Sequence, residues 1–94
     1  MPYIAKVQRK DIDDKLKELS KYLSVGGDPG EYNYAISTLL HDLISCQGLK
    51  YHNINEAIGI LECAKLELYR KVVGPYEDQK EKLNGKISNL GEQK

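Results

Sequence analysis

The sequence predicts an all-α protein: three amphipathic helices in an up-down arrangement, a short C-terminal helix, and a bundle completed by homodimerisation. Three observations predict it. Apolar residues recur at spacings of three and four, helix start and stop signals fall between the periodic stretches, and no segment of useful length alternates as a strand would. The 94 residues read as a single helical domain, with residues 1–10 as an N-terminal arm, part of it extended, and residues 86–94 as a frayed tail.

The first helix is placed over residues 11–23, where Ile12, Leu16, Leu19 and Leu23 form one stripe. Asp11, Asp13 and Asp14 crowd its start, at the partially positive end of the helix dipole, and Gly26-Gly27 ends it. Asp28-Pro29-Gly30-Glu31 opens the second helix: Asp28 caps, Pro29 takes the first helical position and Glu31 closes a box. That helix runs to about Gln47. Its apolar arc holds Tyr32, Ile36, Leu39, Leu40, Leu43 and Ile44, and its other half, including Tyr34, Ser37, Thr38 and His41, is polar but mostly uncharged. Such a face meets another protein at a smaller desolvation cost than a charged one.

The third helix starts from Asn53 as cap, with Glu56 three residues on, and reaches about Val73. Gly74-Pro75 predicts a break or sharp kink, because proline lacks an amide donor and its ring clashes with the preceding turn. Pro75 to Asn84 then form the short fourth helix.

At 100° per residue the third helix carries Ile54, Ala57, Ile58, Leu61, Ala64, Leu68 and Val72 on one arc, with Lys65 inside it and Tyr69 at its edge. A second apolar patch gathers Gly59, Cys63, Leu66 and Val73. A helix that is apolar on two sides is usually sandwiched, and so short a chain covers one side more readily than both. The expectation is therefore a homodimer or higher homo-oligomer. Glu67 and Lys71 suit a surface pair, Lys65 a snorkelling stem, and Glu62 and Arg70 an ion pair between copies.

Composition narrows the function. Fourteen basic residues balance fourteen acidic ones, six against five in residues 1–30 and four against four in residues 75–94. No basic stripe exists to neutralise phosphates, which argues against a nucleic-acid partner. No apolar run reaches the ~20 residues of a membrane span, and the N-terminal MPYIAKVQRK lacks a signal-peptide core, so a cytoplasmic protein is expected. Cys46 and Cys63 are isolated thiols, outside any CxxC pair or four-ligand set. With no Trp or Phe, the seven Tyr supply the aromatic volume, and their hydroxyls favour the edge of a core or a subunit boundary.

Motifs for chemistry are sparse. His41-Asp42 is a doublet of the kind that supplies two metal ligands in one class of helical phosphohydrolases, but that class also needs an upstream histidine, and none precedes His41. Gly26 to Gly30 lacks the GK[ST] ending of a phosphate loop and reads as a helix connection. Glu56, Glu62, Glu67, Glu77 and Asp78 invite comparison with helical nucleotide pyrophosphatases, whose Mg²⁺ sites need carboxylates one turn apart on a shared face; spacings of six and five do not supply that.

Asn33-Tyr34 near the start of one helix, Leu61-Glu62 with Leu66-Glu67-x-Tyr69-Arg70 on the next, then Pro75-Tyr76-Glu77-Asp78 and Asn84-Gly85, resemble a family of small uncharacterised bacterial, archaeal and phage proteins. The resemblance spans roughly residues 30–85. Lys86 stands where that family's pattern has an acidic residue. The resemblance implies no activity.

The leading reading is a small non-catalytic oligomeric interaction or accessory protein that needs no cofactor, with no catalytic residue assigned. Asn33, Tyr34, Glu62, Tyr69, Arg70 and Tyr76 are its interface or buried polar candidates. The alternative is a metal-dependent all-α nucleotide phosphohydrolase holding its metal on Glu62, Glu67, Glu77 and Asp78. A nucleic-acid-associated regulator is a third, weaker reading.

Overall fold

A computed structural model describes residues 2–92. Met1 of the expected arm and Gln93 and Lys94 of the expected tail lie outside the described residues. Four helical elements follow a short extended segment: α1 (Lys6–Gly26), α2 (Pro29–Gln47), α3 (Tyr51–Leu68) and α4 (Gly74–Asn84), with a π-helical segment (Tyr69–Val73) joining α3 to α4. No strand occurs among the described residues. The all-α architecture is as the periodicity implies.

α1 begins five residues earlier than the apolar stripe indicated. The Gln8 side chain reaches back to accept the Ala5 amide at 3.2 Å, which is half of a capping box and sets the start at Lys6. Asp11, Asp13 and Asp14 consequently lie beyond the first turn, and no acidic residue sits at the positive end of the dipole. The helix ends as expected: Gly27 adopts φ 62°, and its amide bonds the Leu23 carbonyl.

α2 starts on Asp28, whose Oδ1 accepts the Gly30 amide at 2.9 Å, with Pro29 at the first position where a missing amide costs nothing. α3 corrects a second boundary. Lys50 is its cap residue, and Asn53 lies inside the first turn with its side chain turned away from its own helix. Asn53 Nδ2 donates to the carbonyls of Gln47 at 3.3 Å and Gly48 at 2.9 Å, so it satisfies acceptors at the end of α2 instead of amides at the start of α3. Asn53 is only 6% exposed and Ala57, one turn on, 4%. Together they hold the apex of the α2–α3 hairpin.

The expected break at Gly74-Pro75 is absent. The helix instead runs on through one wider turn, in which the Gly74 amide bonds the Tyr69 carbonyl five residues back. Proline requires no acceptor for an amide it lacks, and a π turn is a recognised way of accommodating a disrupted ladder inside a helix. Residues 51–84 thus form a continuous rod, about 50 Å long at 1.5 Å per residue, matching the 49 Å longest dimension of the molecule.

Packing is concentrated where elements meet at their ends. Leu23 (8% exposed) closes the α1–α2 turn, and among the described residues Leu23 and Ala57 are the buried apolar ones. Ile12, Leu16, Ile36, Leu39, Ile58, Leu61 and Leu68 all remain exposed. The radius of gyration is 17.9 Å, against the ~12 Å of a compact domain this long. Among the described residues no helix is long and apolar enough to cross a membrane.

Candidate functional site

The two faces of the α3 rod have different surroundings. On the face of Gly59, Cys63 and Leu66, the extended N-terminal segment lies alongside: Pro2 and Tyr3 line shallow cavities with Cys63, Leu66, Glu67 and Arg70. Arg9 Nε pins this segment by donating to the Ile4 carbonyl at 2.9 Å. The second apolar patch of α3 is therefore partly met by the chain itself.

Tyr3 brings the one polar cluster together. Its hydroxyl donates to Glu67 Oε2, while Arg70 Nη2 donates to Glu67 Oε1 at 3.1 Å and lies 3.5 Å from the Tyr3 oxygen. Glu67 and Arg70 are three apart on one helix and so share a face. The hydrogen bond from Tyr3, helped by the Arg70 charge, holds the Glu67 carboxyl below its ordinary range; the same hydrogen bond raises the Tyr3 phenol above its own. The Glu67 side chain is a quarter exposed, whereas that of Arg70 is open to solvent. This arrangement ties the N-terminal segment to α3. It places no nucleophile or general base in a cleft.

Glu67 is thus engaged by Tyr3 and Arg70 rather than mainly by Lys71. Glu62 forms an exposed ion pair with Lys65 at 3.0 Å, and Arg70 does not reach it within the chain. Tyr69 donates to Glu77 Oε1 at 3.3 Å, Lys80 lies 5.6 Å above the Tyr76 ring, and Asn33 accepts from Ser37 at 3.2 Å. Asn33, Tyr34, Glu62, Tyr69, Arg70 and Tyr76 are all exposed in the single chain. Glu62, Glu67, Glu77 and Asp78 are not drawn together. Among the described residues no three His, Cys, Asp or Glu side chains are grouped to hold a metal ion.

A larger concavity than those beside Cys63 lies between α1 and α2. It measures about 510 Å³ and is lined by apolar residues including Leu19, Leu23, Ala35 and Leu39, together with the carboxylate residues Asp28 and Glu31. Tyr34, one of the sequence candidates, also lines it and is 74% exposed. Tyr3 and Asn53 were not legible as interaction residues: Tyr3 meets a partner 64 positions away, and Asn53 carries the ordinary signature of a helix cap.

No curated protein and no solved structure matches the chain. A family model described as a domain of unknown function, DUF6899, matches residues 1–87, which include the N-terminal segment and α1 as well as the α2–α4 region. The chain belongs to the DUF6899 family.

Proposed function

We propose that this protein is a small non-catalytic interaction module that works as a homo-oligomer, most simply a dimer. The observation that carries the reading is surface area. The chain exposes 8666 Å², whereas a folded monomer of 10.7 kDa exposes about 5,500 Å². The surplus of roughly 3,000 Å² per chain, about 6,000 Å² for a pair, reaches the upper end of obligate interfaces, whose totals over both partners run from about 2,000 to above 5,000 Å².

Energetics support the same reading. Ordering a residue costs about 1–2 kcal/mol of backbone entropy, and the two buried apolar side chains among the described residues offset little of it. Much of the exposed area belongs to Ile, Leu, Val and Tyr side chains, so association supplies the missing burial. Neither the engaged carboxylates nor the isolated thiols offer a reaction centre.

Sedimentation equilibrium from high nanomolar to tens of micromolar tests the proposal. A mass of twice the 10.7 kDa chain, or a higher integral multiple, is expected. A well-folded single chain throughout that range overturns it.

A further inference from the structure

We infer that the α1–α2 groove receives the exposed α3 stripe of a second copy, and that its own α3 stripe enters the partner's groove in return. The inference rests on the oligomeric reading above and names the surfaces that join the copies. The groove wall from Glu31 to Leu39 covers about 12 Å of α2 at 1.5 Å per residue. The exposed stripe from Ile58 to Leu68 covers about 15 Å on the same measure, so the groove seats about two of its three turns.

Chemistry matches as well. Leu19, Leu23, Ala35 and Leu39 offer apolar walls, and Ile58, Leu61 and Leu68 stand exposed on the α3 face opposite the N-terminal segment. Lys65 interrupts that stripe, with only an exposed partner in Glu62. The groove lining includes Glu31, a carboxylate that meets an inserted lysine while the lysine stem lies on the apolar wall. A two-fold axis makes the contact twice. Doubling is what a surplus too large for one small patch requires.

The test pairs truncation of complementarity with charge exchange. Leu39 is 60% exposed, so Leu39→Glu leaves the isolated fold unstrained while placing a carboxylate against the incoming stripe. It is expected to sediment as a single chain where the wild type is dimeric. Glu31→Lys and Lys65→Glu are each expected to weaken association ~10-fold or more, and the double variant to recover to within about threefold of wild type, the signature of a direct pair.

If the wild type is dimeric but Leu39→Glu does not alter the dissociation constant, another face joins the copies and the inference is overturned while the oligomeric reading stands. Additive weakening in the charge-exchange pair overturns it too, even if Leu39→Glu misfolds. A monomeric wild type overturns both and leaves the groove to a different protein.

Discussion

Asn53 gives the sharpest separation between two accounts of the same residue. As a helix cap it would be interchangeable with aspartate, because asparagine and aspartate rank together at that position and a negative charge suits a helix N-terminus. In the structure it is a donor, with Nδ2 shared by the Gln47 and Gly48 carbonyls. Asn53→Ala removes one well-formed bond and one long one. Gly48 keeps a second donor in the Lys50 amide at 2.9 Å, so one carbonyl loses less than the other. At about 1 kcal/mol per bond, the expected loss is ~2 kcal/mol, a fall in Tm of roughly 10 °C for a domain of this size. Asn53→Asp should be worse, since it turns a buried donor into an anion facing two carbonyl oxygens. Thermal melts followed by circular dichroism, at one fixed protein concentration, measure both. Asn53→Asp melting with or above the wild type would refute the donor assignment.

Further consequences can be checked alongside. Ala57→Leu forces a larger side chain into the hairpin apex and should cost about 1–3 kcal/mol, read from urea midpoints. Tyr3→Phe removes the main cause of the lowered Glu67 carboxyl, which should titrate nearer its ordinary 4.5 by carbon-detected NMR; an unmoved titration would deny the contact. Because the folded-state value is depressed, the stabilisation by Glu67 is complete above about pH 4.5 and disappears as the pH falls through that lower value. The Tyr3 phenol, raised from 10.0, contributes below pH 10 and loses its contribution as the pH rises through its folded value, so ultraviolet titration should show a late-ionising tyrosine that Tyr3→Phe abolishes. An associating protein should also melt at higher temperature as its concentration rises, and concentration-independent melting would count against assembly.

The helices themselves were legible because their signals are local. Asp28-Pro29 and the Gly26-Gly27 stop act within four residues, and both boundaries fall where those residues dictate. α1 began early because Gln8, a less familiar box partner than glutamate, fixes its start. Asn53 illustrates the opposite limit: residue type alone does not tell whether a side chain serves its own helix or the one before it. The Tyr3 contact joins positions 64 apart, beyond any periodicity. Two-sided exposure of α3 was readable from its wheel, but the partial cover of one side by Pro2 and Tyr3 was not.

The wheel does not account for one contact beyond Leu68, and the π segment explains why. Eight α-helical residues separate two side chains by about 80° of azimuth, yet Tyr69 and Glu77 are bonded. A turn that absorbs one additional residue leaves an effective separation of seven, or about 20°, and brings them onto one side. Tyr69–Val73 therefore acts as a slack link: a natural variant one residue shorter there could tighten into ordinary helix without disturbing the rod upstream. Everything after the deletion would keep its azimuth, because Tyr69 and Glu77 would then stand seven residues apart in ordinary helix and still share a side, with the Tyr3 anchorage left where it is.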